Sequence, residues 1–260
     1  MDLRELALNN NPERHPWELA RIKVIKQLLK DFIPEMKKQD SCILDMGCGD
    51  IFLIENISED YQEASFLGVD IEFNKEVLDI LESRIGNKNI KVFNSQKGVQ
   101  EVRKKPVDVV FLFDVIEHIE DEITFLKELN GSSLIDENTK YVITVPAFQS
   151  LFMQHDHFLG HFRRYTNKTL KNRLEAAGMT VSKTGYFFFS LIIYRSLELL
   201  KERLSKKQEA QGIGNWDKGK TLSRIMYSIL IMDFFIFRLL AMIGIKTPGL
   251  SNYAICQKSA

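Results

Sequence analysis

The sequence predicts an α/β fold: a doubly wound, mostly parallel sheet of seven strands, with a helical insertion before the last strand. Three observations lead to this prediction. Short apolar runs alternate with helical segments, which is typical of a parallel sheet covered on both faces. A turn with two glycines, Gly47 and Gly49, follows the first apolar run, and an acid, Asp70, follows the second. Ligands bind at the carboxyl ends of strands in such sheets, so these residues predict a binding site there.

The elements follow one another in a regular order. Apolar residues at helical spacing predict a leading helix over 17–33, which ends before Pro34. Strands are predicted over 42–46, 66–69, 90–93, 107–113, 141–145, 180–189 and 253–257. Helices are predicted over 53–57, 75–84, 98–104, 122–129 and 170–177, the last of them stopped by Gly178.

Residues 190–248 are an insertion that a minimal sheet does not need. The segment 222–245 is mostly apolar and long enough to span a bilayer as a helix. Asp233 and Arg238 argue against spanning, because charged side chains are costly at mid-membrane. The segment is therefore expected either to pack on the domain as a buried subdomain or to lie in a membrane interface. We interpret 1–260 as one domain, with a helical lead over 1–40, a core over 41–189 and 249–260, and an apolar helical insertion over 190–248.

Composition limits the partners. Thirty-five basic and thirty-five acidic residues give a net charge of zero, so no overall field attracts nucleic acid, and no nucleic-acid partner is expected. The three cysteines form no C-x-x-C pair that would indicate zinc or redox chemistry. The first residues lack the pattern of a secretory signal. The expected location is the cytoplasm, with the inner face of the membrane as an alternative through 222–245.

The turn after the first strand points to a nucleoside cofactor. It reads G-C-G-D-I and lacks the G-x-G-x-x-G spacing that brings a helix N-terminus onto a pyrophosphate. A carboxylate at the end of the second strand can accept hydrogen bonds from ribose hydroxyls. A dinucleotide is therefore disfavoured, and a nucleoside without phosphate fits better.

These residues resemble the class I S-adenosylmethionine-dependent methyltransferases, whose first motif is written D-x-G-C-G-x-G. Residues 113–119, F-D-V-I-E-H-I, match a later motif of one large branch. Ile51 stands where the family has a third glycine, and its side chain is expected to crowd the turn. The resemblance implies S-adenosylmethionine as cofactor. The implied cofactor-binding residues are Asp45, Gly47, Gly49, Asp70, Ile71, Asn94, Ser95, Asp114 and His118.

The resemblance also implies a part of the cofactor for several of these residues. Asp45 would lie near the methionine amine, Asp70 would hold the ribose, and Asp114 would face the methionine end. An acid after an apolar strand is otherwise often a helix cap. Glu117 and His118 are expected to open the helix after the fourth strand, pointing in different directions.

A polar loop over 155–166 follows the fifth strand and carries three histidines and two arginines. Imidazole can take a proton from a hydroxyl near neutral pH, and guanidinium can hold an anion. The loop matches a branch with an H-D-x-x-x-G-H-x-R-R-Y-T pattern, often associated with glycan and lipid modification. His15, Trp17 and Arg21 match the same branch more loosely. The predicted catalytic residues are His155, His161 and Asp156, and the predicted substrate-binding residues are Arg163, Arg164 and Tyr165.

The loop has two other interpretations, a metal site and a structural loop in which Thr166 caps the next helix. No metal is expected, because methyl transfer needs none. The expected function is methylation of a hydroxyl on a glycan, a lipid-linked molecule or another small anionic acceptor. The alternatives are a cofactor-binding protein without transfer activity and a peripheral membrane adaptor that works through 222–245.

Overall fold

The computed structural model describes residues 14–86, 88–204 and 219–259 and forms a sheet of seven strands in the order β3-β2-β1-β4-β5-β7-β6. Neighbouring strands from β3 to β5 run parallel, and β7 runs antiparallel to both β5 and β6. The predicted doubly wound sheet is confirmed. The strands are β1 Cys42–Met46, β2 Ser65–Val69, β3 Ile90–Phe93, β4 Val109–Phe113, β5 Lys140–Pro146, β6 Met179–Phe187 and β7 Ser251–Lys258.

Helices cover both faces of the sheet. Those in the described part of the chain are α1 Pro16–Phe32, α2 Phe52–Ser58, α3 Lys75–Ile85, α4 Gln96–Val102, α5 Glu122–Asn130, α6 Gln154–Leu159, α7 Asn167–Ala176, α8 Ser190–Leu204 and α9 Gly219–Met242. Short 3-10 turns occupy Pro34–Lys37, Ile116–His118 and Gln149–Leu151. The segment 205–218 lies outside the described residues, so the glycine-containing sequence between α8 and α9 is largely not described.

Alternation of side chains along the strands divides the core into two layers. Ile43 and Phe111 pack in one apolar cluster with α1, α2, α3 and α9. Leu44 and Leu112 pack in a second cluster with α4, α5 and α7. Because successive side chains point to opposite faces, strands buried on both sides read as continuous apolar runs. This explains why the central strands can be located from the sequence.

Several element boundaries differ from the predicted ones, and in two cases a nearby hydrogen bond explains the difference. Strand β4 begins two residues after the predicted start, because the Val107 N–H donates to the carbonyl of Leu134 and not into the sheet. Helix α4 begins at Gln96, earlier than predicted, because the Ser95 side chain caps it by accepting from the Gly98 N–H at 3.4 Å.

In its described residues, 190–204 and 219–248, the insertion forms two helices between β6 and β7. Helix α9 packs on α1 with Leu230 and Phe234 in the core. Within the described residues, α9 is the one helix long and apolar enough to cross a membrane by length and composition. Its opposite side is exposed. The insertion is therefore attached to the domain along one side of α9.

Candidate active site

The turn after β1 is bonded to the end of β2. Gly47 and Gly49 have φ angles of 72° and 55°, in the left-handed region that favours glycine. A Cβ atom on Gly47 would lie 2.8 Å from a methyl of Val115, so a side chain there would require a shift. The Gly49 N–H donates to Oδ2 of Asp70 at 2.9 Å. The two glycines therefore let the turn pack closely against Val115 and hold the Asp70 carboxylate beside it.

Asp45, the last residue but one of β1, is a buried carboxyl group without a complete set of partners. No donor from the described residues reaches its Oδ1 atom. Burial, together with the nearby charge of Asp70, raises the pKa of Asp45 to about 8, although the charge of Arg21 opposes this shift. A buried acceptor that lacks a donor is well suited to a cationic ligand group such as an ammonium.

Asp70 and the residues that follow β2 and β3 lie along the same edge of the sheet. The Glu72 N–H donates to Oδ1 of Asp70 at 3.0 Å, so each carboxylate oxygen already accepts one backbone hydrogen bond. A carboxylate oxygen can accept more than one, so ribose hydroxyls could still bind. Ile71 and Asn94 are exposed. Ser95 is half-buried, and its oxygen serves the α4 cap, which leaves its hydroxyl hydrogen for a ligand.

Ile51 does not crowd the turn as expected. It has a φ angle of 59°, so it adopts the left-handed conformation that the family's glycine would favour. Its side chain is fully buried in the apolar core with residues of α1 and α2. The expectation of a crowded turn is corrected, because the side chain points into the core. The replacement of glycine by isoleucine instead strains the backbone, since a β-branched residue adopts a left-handed conformation.

Helix α1 covers the ends of β4 and β5 through Arg21. The Arg21 guanidinium lies 2.8 Å from Oδ2 of Asp114 and donates to the Thr144 hydroxyl at 3.0 Å. Thr144 in turn donates to Oδ1 of Asp114 at 3.0 Å. Trp17 lies under the Arg21 guanidinium, and the His15 side chain caps α1 by accepting from the Trp17 N–H. Asp114 is thus held at the end of β4 by residues of two other elements.

Asp156 is the centre of the polar loop and is completely buried. It accepts hydrogen bonds from Nδ1 of His161 at 3.0 Å, Nε of Arg164 at 2.8 Å and a guanidinium nitrogen of Arg195 at 2.7 Å. Burial alone would raise the pKa of Asp156, but the hydrogen bond from His161 and the two guanidinium charges hold it well below its usual range. An ionised carboxylate only accepts, so Nδ1 carries the hydrogen and Nε2 of a neutral His161 carries the lone pair.

Arg195 was not among the predicted site residues. It lies on α8, 39 positions from Asp156, and is almost fully buried. The signal that could have found it is an arginine placed within an apolar helical pattern, because a buried arginine needs an anionic partner.

Glu117 and His118 do not open a helix, and this expectation is corrected. They lie in the 3-10 turn Ile116–His118, and the next helix begins at Glu122. The His118 and His161 rings meet edge to face, with centroids 4.6 Å apart. Burial, and secondarily the charge of Asp114, raises the pKa of Glu117 well above its usual value, and neither carboxyl oxygen has a donor from the described residues. The turn thereby brings Glu117 and His118 to the same place as His161.

Glu117, His118 and His161 could together hold a metal ion, because one ligand atom from each lies within 4.8 Å of the others. That no metal is used stays a prediction. Of the other loop histidines, His157 is exposed and packs its ring on Phe152. His155 is half-buried and precedes Asp156 on α6, where neighbouring side chains diverge. The geometry therefore favours His161 as the imidazole that Asp156 orients.

The predicted substrate-binding residues make contacts within the protein. Arg163 donates to the carbonyls of Ile119 at 2.8 Å and Glu120 at 2.7 Å and pairs with Glu122. Arg164 is buried against Asp156. The Tyr165 side chain is buried, with its hydroxyl 3.4 Å from the carbonyl of Ile116. Thr166 caps α7, as the structural interpretation of the loop expected. These contacts hold the loop against the end of β4.

Comparison with known proteins identifies the family. The family model described as a methyltransferase domain matches residues 17–184, which is more than half of the chain. The chain belongs to this methyltransferase family. No curated protein matches the sequence. The family confirms the predicted cofactor, S-adenosylmethionine, and the orphaned Asp45 oxygen beside the glycine turn fits such a group.

Solved structures share the fold at low sequence identity. A SAM-dependent methyltransferase from Archaeoglobus fulgidus has a TM-score of 0.51 and 20% identity, over 91% of this chain and 94% of that one. A putative sarcosine dimethylglycine methyltransferase from Galdieria sulphuraria has a TM-score of 0.55 and 14% identity, over 94% and 86%. A coclaurine N-methyltransferase has a TM-score of 0.55 and 13% identity, over 91% and 72%.

Proposed function

We propose that this methyltransferase transfers a methyl group to a hydroxyl oxygen, with His161 as the group that receives the hydroxyl proton. The observation that carries the proposal is the contact between the buried Asp156 carboxylate and Nδ1 of His161, which leaves Nε2 as a proton acceptor. His161 meets His118 at the same edge of the sheet where Asp45, Asp70 and Asp114 end their strands. This shared edge of the sheet supports His161 as the base.

The chemical demands on the protein are modest. When bound, S-adenosylmethionine supplies a methyl group on a positively charged sulfur, which an oxygen can attack in line. The new oxygen–carbon bond forms as the sulfur–carbon bond breaks, and the hydroxyl proton passes to Nε2 of His161. Asp156 keeps the imidazole oriented and stabilises its charged form. The residues of this chain therefore align the acceptor and accept one proton.

Asp45, Asp70 and Asp114 have the cofactor-side roles in this proposal. Asp45 is assigned to the methionine ammonium, because its buried Oδ1 lacks a donor among the described residues. Asp70 is assigned to the ribose hydroxyls. Asp114 is assigned to the methionine end, where Arg21 and Thr144 hold it in place. These assignments leave the loop with His161 as the acceptor side in this proposal.

The acceptor class rests on the loop and its neighbours. The loop pattern resembles that of enzymes acting on glycans and lipids, and Arg195 bonds the loop to the apolar insertion. We assign Arg163 and Arg164 to positioning the loop and not to holding an acceptor anion, because their guanidinium groups already have partners in the protein. A hydroxyl on a lipid-linked or glycan acceptor fits this arrangement best.

The test compares two histidines of the same loop. His161→Ala should reduce the transfer of labelled methyl groups by about 10² to 10⁴, the usual contribution of a general base. His157→Ala is the matched control, because His157 is exposed and packs only its ring on Phe152. The acceptor is first found by screening lipid and glycan extracts for label transfer, and cofactor affinity is measured by calorimetry for each variant.

We expect both variants to bind the cofactor as tightly as the original protein and only His161→Ala to lose turnover. Equal turnover of the two variants would remove His161 from the reaction. Label found on nitrogen or carbon of the product would refute the oxygen acceptor.

A further inference from the structure

Helix α9 carries a stripe of exposed apolar side chains along its outer side. Exposed residues recur there every three or four positions, which places them on one face of the helix. They are Leu222, Ile225, Ile229, Met232, Ile236 and Leu239. The most apolar 18 residues of α9 have a mean hydropathy of 2.0, yet only 17% of this stretch is buried. A stripe of this length is larger than the scattered apolar residues of an ordinary protein surface.

Helix α8 has a shorter stripe of the same kind. Ile193, Leu197, Leu200 and Leu204 are exposed and recur at helical spacing. The two helices are in contact where the ring of Phe189, just before α8, packs on the ring of Phe237 in α9, with centroids 4.8 Å apart. Both helices of the insertion thus expose apolar side chains, and these ten residues of α8 and α9 are called the apolar stripe below.

The two charged residues in the second half of α9, Asp233 and Arg238, bond to the rest of the domain. Asp233 accepts hydrogen bonds from the Ser190 N–H at 2.8 Å and the Ser190 hydroxyl at 2.7 Å. Arg238 pairs with Asp31 of α1 at 2.9 Å. The two residues that argued in the sequence against a membrane-spanning helix therefore leave the outer side of α9 apolar.

Exposed basic residues lie near the beginning of α9 and after its end. Arg224 is exposed near the beginning of α9, and Lys246 is exposed just after its end. An apolar face with flanking cations is typical of a helix lying in a membrane interface, where the cations meet anionic headgroups.

We infer that the apolar stripe docks the protein on the surface of a bilayer containing anionic lipid, with α8 and α9 lying in the interface. A spanning helix is excluded by the packing of Leu230 and Phe234 in the core of the domain. A second copy of the chain is disfavoured, because antiparallel pairing of the stripes would bring Arg224 near Lys246 of the other copy. Helix α9 also lacks the charged flanking positions that specify coiled coils.

Docking would place the loop close to the membrane. Arg195 lies between the exposed residues of α8 and bonds to Asp156, and Glu202 of α8 accepts from the Gln154 N–H at 3.2 Å. The loop that carries His161 is thus bonded to α8 at two points. The inference itself depends on the surface of the insertion and not on the identity of the acceptor.

The experiment is co-sedimentation of the full chain with vesicles of phosphatidylcholine alone or with about 30% phosphatidylglycerol. Met232→Ser/Ile236→Ser should weaken binding to the mixed vesicles by at least about tenfold. The matched control is Ile80→Ser/Val102→Ser, two apolar residues of similar exposure on α3 and α4. Arg224→Glu/Lys246→Glu should weaken binding to the mixed vesicles and leave binding to phosphatidylcholine unchanged.

Sedimentation of the original protein and the control variant, with loss in the stripe variant, is the expected result. The inference is overturned if the original protein does not sediment with the mixed vesicles, or if the stripe variant sediments equally well. It is also overturned if light scattering shows a vesicle-free dimer that the stripe variant disrupts, since a second copy would then cover the stripe. Melting temperatures of all variants check that each one is folded.

Discussion

Replacing Asp45 by asparagine should stabilise the cofactor-free protein while weakening cofactor binding. The carboxyl group is buried, and its pKa is raised from 3.8 to about 8. At pH 7 the folded protein therefore holds a proton on Asp45, whereas the unfolded chain does not. Taking up that proton costs about 4 kcal/mol at pH 7. Asparagine is neutral in both states, so it avoids this cost but still buries an amide, and we expect a net gain of about 2 to 4 kcal/mol.

The free energy of unfolding should depend on pH in a direction that follows from the raised pKa of Asp45. A group whose pKa is raised on folding favours the folded state at low pH and opposes it as the pH rises toward the folded pKa. Wild-type stability should therefore increase between pH 7 and pH 5, and its deficit relative to Asp45→Asn should shrink by about 2 to 3 kcal/mol. Urea unfolding at the two pH values measures this difference.

Cofactor affinity should move in the opposite direction. The methionine ammonium would displace the proton from Asp45 and pair with the carboxylate, and loss of this charge-assisted contact should cost about 1.5 to 3 kcal/mol, or roughly 10-fold to 100-fold in affinity. Asp70→Asn is the control: it should also weaken binding but should not stabilise the protein, because both Asp70 oxygens accept backbone N–H groups. The reasoning would be refuted if the stability difference between wild type and Asp45→Asn were the same at pH 7 and pH 5. It would also be refuted if Asp45→Asn bound the cofactor as tightly as wild type.

Two further predictions concern backbone strain and the loop. Ile51→Gly should relieve about 1 to 2 kcal/mol of strain but lose about 3 to 5 kcal/mol of buried packing, so urea unfolding should show a net loss. Calorimetry should show unchanged cofactor affinity, and a clear gain in affinity would restore the idea of a crowded turn. Arg163→Ala should reduce stability by about 1 to 2 kcal/mol without raising the Michaelis constant, with partial recovery in Arg163→Lys. A raised Michaelis constant at unchanged melting temperature would return Arg163 to the acceptor site.

The sequence could predict the sheet because its signals are local. A strand covered on both faces must be apolar at every position, so β1 and β4 are visible as continuous runs. The left-handed backbone after β1 requires residues such as Gly47 and Gly49, which also made the nucleoside site visible. The polar loop was found for a similar reason, because its histidines and arginines are close in sequence.

Contacts between distant parts of the chain could not be predicted. The Arg21–Asp114 pair joins α1 to β4, and the Arg195–Asp156 pair joins α8 to the loop. Both depend on how the helices cross the edge of the sheet. The pairs of Arg163 with Glu122 and of Arg164 with Asp156 likewise depend on tertiary packing, so only the structure shows that these two guanidinium groups already have partners.

Local sequence determined the α/β fold, the glycine turn and the acids at the strand ends, because backbone conformation and burial on both faces restrict which residues fit. Tertiary structure alone decided that Asp45 is an orphaned buried acid, that His161 is the histidine held by Asp156, and that Asp233 and Arg238 of α9 bond to the domain. These properties depend on which groups surround a charged side chain, exclude water from it or neutralise its charge. That information is distributed over residues far apart in the chain and appears only when they pack together.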